Sequence, residues 1–167
     1  MSPLLRTAAV GVVLPVHDEQ ELLADSLRSL VDAFDELQPS GLAATLVVVL
    51  DACSDASEVI ARERRDELDR EQGSVDLRVV TCRARNVGYA RRLGCAVLLT
   101  RWSRIEPSTI WLATTDADSR VPPDWLTTQV LQHEAGVEHW SGRVEVTDWS
   151  ERRHESRLKW QRQYEQE

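Results

Sequence analysis

Short runs of β-branched and aliphatic residues alternate with longer amphipathic segments along the whole chain, and that alternation restricts it to few architectures. Leu46-Val47-Val48-Val49-Leu50 is an unbroken apolar run, the pattern of a strand buried on both faces. Strands of that kind lie in sheets covered by helices, so the expected fold class is α/β with a mainly parallel sheet flanked by helices.

The pattern predicts a first strand over Ala8–Leu14 and a helix from about Glu19 to Leu37. In that helix Leu23, Leu27, Leu30, Val31 and Phe34 recur at helical spacing, and Pro39-Ser40-Gly41 ends it. The second strand, Leu46–Leu50, delivers Asp51 at its tip, and a helix capped within Ser54–Ser57 follows to about Arg70. Asp76–Thr81 reads as a third strand. A third helix opens at Asn86 and runs to about Arg101, with small residues where it must lie close to a neighbour. Thr109–Thr114 is the fourth strand, and Pro122-Pro123-Asp124 starts a helix to about Ala135. Glu138–Val146 alternates as a strand does, and Ser150–Glu167 reads as a solvated helix.

A length of 167 residues fits one domain with a real core, and a hydrophobic share of 42% is that of a globular protein without a transmembrane stretch. The net charge of -8 argues against nucleic acid as a partner, because such binders carry a basic face. Cys53, Cys82 and Cys95 are widely spaced and form no C-x-x-C pair, so neither a disulfide framework nor a zinc site is expected. Such usage suits a reducing cytoplasm.

The chemistry-bearing residues cluster at the carboxyl ends of the expected strands, where open parallel sheets bind ligands. After the first strand comes Pro15-Val16-His17-Asp18-Glu19, after the second Asp51-Ala52-Cys53-Ser54-Asp55, after the third Arg83-Ala84-Arg85-Asn86-Val87-Gly88, and after the fourth Thr115-Asp116-Ala117-Asp118. In extended backbone, residues i and i+2 share a side, so Asp116 and Asp118 could address one cation together. Their mutual repulsion would be relieved by a hard divalent ion such as Mg²⁺ or Mn²⁺.

These motifs resemble those of family 2 glycosyltransferases, over Val10 to about Val146. The resemblance rests on V-V-L-P-V-H-D-E followed by a helix, V-V-V-L-D-A-C-S-D, A-R-N-V-G-Y-A-R, and W-L-A-T-T-D-A-D-S-R-V-P-P-D-W-L, in the family's order and spacing. It implies a Rossmann-like GT-A fold that binds a nucleotide-diphosphate sugar, a UDP- or GDP-sugar, with Mn²⁺ or Mg²⁺, and transfers the sugar to an acceptor. By the same resemblance Pro15, Val16 and Glu19 line the nucleoside pocket, and Asp51 reads an edge of the base. Arg85, Asn86 and Gly88 belong to the loop that closes over the nucleotide. Asp118 binds the metal more directly, with Asp116 facing the ribose or a metal-bound water. Asp18 stands where many members have Asn and adds an acid to a site that must accept a diphosphate.

Several residues keep a plainer reading. Asp18 and Glu19 also suit the start of a helix, and at least two of Arg83, Arg91 and Arg92 read as surface charges. His17, His133, His139 and His154 show no shared-helix ligand spacing. Trp111 and Trp125 are expected in the core, whereas Trp140 and Trp149 are candidates for a sugar platform. An aspartyl-phosphate phosphatase, which also uses D-x-D, would carry Thr or Val where this chain has Arg120.

No catalytic residue is assigned. Inverting transfer needs a carboxylate base, and Glu145 and Asp148 are the only acids near the expected acceptor side. The expected organisation is therefore a nucleotide-sugar-binding domain over residues 1–149, with residues 150–167 as a helix that starts the acceptor half. The alternative is a donor-binding fragment or subunit without turnover, completed by a partner chain. The resemblance allows a peripheral membrane location beside a cytoplasmic one.

Overall fold

The computed structural model describes residues 6–37, 41–71, 73 and 75–145. Four strands and four helices alternate in it: β1 (Ala9–Val16), α1 (Leu23–Leu37), β2 (Ala43–Asp51), α2 (Ser57–Glu71), β3 (Asp76–Cys82), α3 (Val87–Arg101), β4 (Ile110–Thr114) and α4 (Trp125–Glu134). All strand pairings are parallel, in the order β3-β2-β1-β4. The sheet thus grows outward from β1 through β2 to β3, and the chain then returns to the other side of β1. That reversal creates a switch point between β1 and β4 at the carboxyl edge of the sheet, and it sends the connecting helix α3 to the opposite face.

The strand period sorts the side chains onto two cores. Val10, Val12, Leu14 and Val16 of β1, with Leu46, Val48 and Leu50 of β2, pack against α1, α2 and α4. Ala9, Val13, Val47 and Val49 point the other way, against Ala90, Leu98 and Trp102 at α3. Small residues let α3 lie this close. A Cβ on Gly94 would stand 2.4 Å from Val13 Cγ1, and one on Gly11 2.6 Å from Leu98 Cδ1, so the expectation of small residues at a close approach is met.

The element boundaries refine the sequence expectations. β1 continues through Pro15, which lies past the last β1–β4 pair, Val13 with Thr114, so no ladder bond on that side needs its missing N–H. Residues 20–22 form a turn and α1 begins only at Leu23, whose N–H bonds to the Glu19 carbonyl at 2.9 Å. A 3-10 turn takes Pro107–Thr109, leaving β4 to start at Ile110. Trp111 and Trp125 sit in or against the core, as expected.

One expected strand is corrected. Residues 138–145 carry no strand, and all eight are exposed. Among the described residues their alternation has no neighbouring strand to pair with, and a lone extended segment is not stable in water. Val146, with the helix expected over Ser150–Glu167, lies outside the described residues, as do Asp148, Trp149 and His154. Among the described residues no helix is long and apolar enough to cross a membrane.

Candidate functional site

The four strand-end loops meet in a cavity of 340 Å³ at the switch point. Pro15, Val16, His17 and Glu19 come from the end of β1 and Asp51 from β2. Arg85 and Asn86 enter from the β3–α3 loop with Val87 and Ala90, and Asp116–Asp118 from the loop after β4. A hollow of 480 Å³ beside β3 and α3 is larger, but it is lined by Arg78, Ala96, Val97, Thr100 and Arg101, none of which belongs to these loops.

Asp51 organises one corner. It is 4% exposed, its Oδ1 accepts from the Arg85 N–H at 2.8 Å, and its Oδ2 accepts from the Asn86 N–H at 2.7 Å. Burial pushes the carboxyl up, but the backbone N–H bonds of Asn86 and Arg85 outweigh it and leave the group below the ordinary value of 3.8. Asp51 is therefore a buried anion held chiefly by backbone donors of the β3–α3 loop, with the Cys82 thiol adding to them. Its own carbonyl meets His17 Nδ1 at 2.6 Å, which fixes that ring in the wall.

Three non-glycine residues in this region adopt left-handed backbone: Asp18 (φ 53), Ala52 (φ 55) and Arg85 (φ 48). Each such residue costs about 1 kcal/mol or more and persists only where its surroundings impose it. The bonds to Asp51 impose it on Arg85. For Asp18 the side chain does so, because its Oδ1 accepts from Ser54 N–H at 2.6 Å and Asp55 N–H at 3.3 Å. The Ser54 N–H bond is also the largest cause holding the Asp18 carboxyl below its usual value. Asp18 is thus bound into the β2 loop and does not line the cavity. The β1 and β2 loops are laced further by Glu19 N–H to Ser57 Oγ and Gln20 N–H to Asp55 Oδ2, both at 2.9 Å.

The opposite corner is open. Asp116 and Asp118 do not continue the strand: β4 stops at Thr114, and Ser119 N–H bonds to the Asp116 carbonyl at 3.1 Å across a turn. The two acids still face one cavity, for a different reason than strand alternation. Ala117 between them is 4% exposed and packs into the core, which turns both neighbours outward. Beyond the turn, Arg120 pairs with Asp25 and Val121 N–H bonds to Ser29 Oγ at 3.2 Å, so the loop is tied to α1. Glu19 feels this corner. Its carboxyl is raised first by burial, then by the charges of Asp118, Asp55 and Asp116.

Of the residues singled out in the sequence, the structure brings Pro15, Val16, Glu19, Asp51, Arg85, Asn86, Asp116 and Asp118 into one wall. Gly88 lies outside it, in the first turn of α3. A Cβ there would meet only Asn86 Oδ1, at 3.3 Å, so Gly88 makes room for the cap in which Asn86 accepts from Tyr89 N–H at 2.9 Å. The sequence reading missed His17, Val87 and Ala90 in the wall, and it missed Arg91, whose Nη2 meets Asp116 Oδ1 at 2.5 Å. Arg92 lies over the Tyr89 ring and Arg83 is exposed, as surface charges would be. His133 is structural, bonded to Thr7 Oγ1 at 2.9 Å and tilted against Trp111. His139, Trp140 and Glu145 are exposed and outside the cavity wall.

Asp18, Cys53 and Asp55 also place potential metal ligands within 4.8 Å of one another. Each is already engaged: Asp18 as above, Asp55 with Ser57 N–H at 2.9 Å, and Cys53 with the Val16 carbonyl at 3.4 Å. Burial raises the Cys53 thiol further from the thiolate a metal would need.

The family model for glycosyl transferase family 2 matches residues 11–167. The chain belongs to glycosyl transferase family 2. Its parallel sheet flanked by helices is the GT-A fold of these transferases. Among solved structures, this family 2 chain is similar to S. aureus TarS 1-349, alone and in complex with UDP. In both cases the TM-score is 0.55 at 16% identity, over 86% of this chain and 40% of that one. A longer S. aureus TarS structure gives 0.55 at 15% identity, over 83% and 23%. The chain therefore spans less than half the length of the TarS chains it matches. Among curated proteins, none matches it.

Proposed function

We propose that this chain binds a nucleotide-diphosphate sugar, a UDP- or GDP-sugar, in the strand-end cavity together with Mn²⁺ or Mg²⁺, as the donor site of a glycosyl transfer to an acceptor. The observation that carries this reading is the convergence of all four strand-end loops on one cavity, with one corner fixed around the buried Asp51 and an exposed, acid-rich corner at Asp116 and Asp118. The UDP complex of the TarS relative supports uridine diphosphate as the nucleotide.

In this reading Pro15, Val16 and Glu19 line the nucleoside, and Asp51 meets the base edge while holding the Arg85-Asn86 loop over it. The Arg85 guanidinium, free of hydrogen bonds and ion pairs among the described residues, offsets phosphate charge. Gly88 keeps the loop's cap in register. Asp116 and Asp118 fit a hard cation by their donor chemistry: both offer only oxygens, both are exposed on one cavity, and their charges already burden Glu19. Asp118 would bind the metal directly, and Asp116 would hold it or the ribose. When bound, the metal supplies Lewis-acid stabilisation of the departing diphosphate.

Residues 1–149 form the donor-binding domain in this proposal, with residues 150–167 leading towards an acceptor half. Glu145, a candidate base, is exposed and away from the cavity. That favours a second reading, in which the chain binds donor without turning it over and a partner chain supplies the acceptor half. Calorimetric titration with UDP and Mn²⁺, followed by a donor-hydrolysis assay, separates the two: binding with hydrolysis supports the transferase, and binding alone the donor-binding subunit. Absence of binding, or binding unaffected by replacing both Asp116 and Asp118 with Ala, would refute the donor site.

A further inference from the structure

The acids of the open corner are unequal before any ligand arrives. Asp116 Oδ1 accepts from Arg91 Nη2 at 2.5 Å, in an ion pair that reaches from α3 to the loop after β4. Asp118 makes no ion pair among the described residues, and its carboxylate accepts only from Ser119 Oγ, at 3.2 Å. The approach of Arg91 is set by the scaffold. Three residues on, Gly94 seats α3 against Val13, where a Cβ would stand 2.4 Å from the valine methyl, and Ala90 beside Arg91 is fully buried. Arg91 Nε is itself buried without a partner, so Asp116 is the one acceptor the guanidinium has among the described residues.

We infer that Arg91 is the resident counter-cation of the acid corner, a positioning residue that competes with the divalent ion for Asp116 and sets how tightly the metal binds before the nucleotide. The inference rests on the donor-site reading above. A cation that reaches both carboxylates must displace the guanidinium or bear its repulsion. With Arg91 in place, metal binding in the absence of nucleotide is kept weak, while Asp116 stays oriented towards the cavity. Exposed ion pairs of this kind shift an equilibrium by up to about five-fold, and the added repulsion between two cations raises that somewhat.

The test is Mn²⁺ binding to the full chain without nucleotide, read from the paramagnetic resonance signal of the free ion, for the natural chain, Arg91→Gln and Arg91→Lys. UDP binding to the natural chain at saturating Mn²⁺ is measured alongside. Arg91→Gln should bind Mn²⁺ about three- to ten-fold more tightly, with Arg91→Lys closer to the natural chain because it keeps the charge. A merely structural pair would lower thermal stability without tightening metal binding. If Arg91→Gln binds Mn²⁺ no tighter while the natural chain binds UDP with Mn²⁺, the inference falls and the donor site stands. If the natural chain binds neither, both fall. Should Arg91→Gln fail to fold, Arg91→Met removes the charge with a similar stem and gives the same decision.

Discussion

Asp51 and the Asp116/Asp118 pair face the same cavity from opposite sides, yet they are held in contrasting ways. Asp51 is 4% exposed, with both carboxylate oxygens bonded to backbone N–H groups of one loop. Asp116 and Asp118 stand on an exposed turn, one paired with Arg91 and the other bonded, among the described residues, only to the neighbouring Ser119. The first arrangement is complete without a ligand, because its charge is already satisfied. The second is not, since three acids, Glu19 among them, share a corner with one guanidinium. The difference teaches that rigid recognition and ion binding can occupy one cavity only if the sheet builds them at separate strand ends. Here β2 and β3 supply the fixed corner, and β4 with α3 the exchangeable one.

The sharpest way to break that contrast is at Asp51. Asp51→Ala leaves two N–H groups without an acceptor and releases the strained Arg85 backbone, so urea unfolding should show a loss of about 2–3 kcal/mol. In the donor-site reading, UDP affinity should fall by about 30- to 150-fold, the factor that a loss of about 2–3 kcal/mol of binding free energy implies. If Asp51→Ala proved as stable as the natural chain, the fixed corner would not be fixed. Replacing both Asp116 and Asp118 with Ala should do the reverse. Mn²⁺-dependent UDP binding should drop by roughly 30-fold or more, while stability stays within about 0.5 kcal/mol, as expected of exposed positions.

Acid titration sharpens the same contrast. The folded Asp51 carboxyl lies below its ordinary value of 3.8, so on acidification the unfolded chain takes up the proton first. Its contribution to stability is whole above that value and is lost as pH falls through it towards the lower folded one. Urea midpoints measured from pH 7 to 2 should therefore decline on the acid side, with a shallower decline in Asp51→Ala. Glu19 carries the opposite sign. Its folded carboxyl is raised above 4.5 by burial and by Asp118, Asp55 and Asp116, so ionising it costs stability as pH rises. The smallest expected effect follows: Glu19→Gln raises the melting temperature slightly at pH 7 and not at pH 3, and saturating Mn²⁺ narrows the difference.

The sequence made the strands and the fixed corner legible for a physical reason. A run such as Leu46–Leu50, set among alternating helices, fits a strand buried on both faces of a parallel sheet, and the carboxyl end of such a strand lies at the ligand edge. The small residues of α3 announced a close approach, and Gly94 makes it. What was hidden depended on tertiary placement. The Glu138–Val146 alternation has the period of a strand, and periodicity cannot show that none of the described strands lies beside it. Asp116 and Asp118 were expected to share a side through extended backbone, but buried Ala117 does that work in a turn. Arg91 looked like one surface charge among three, because its partner lies 25 residues away. His17 gave no ligand spacing, since its anchor is a backbone carbonyl that no side-chain motif reveals.

The most direct test is an amide-resolved NMR titration of the chain, first with Mg²⁺ alone and then with UDP. Mg²⁺ should move the amides of residues 114–119 and leave those of Arg85 and Asn86 in place, and UDP should then move both sets. If UDP shifts neither corner, or if Mg²⁺ acts instead at Asp18, Cys53 and Asp55, the two-corner donor site would be contradicted.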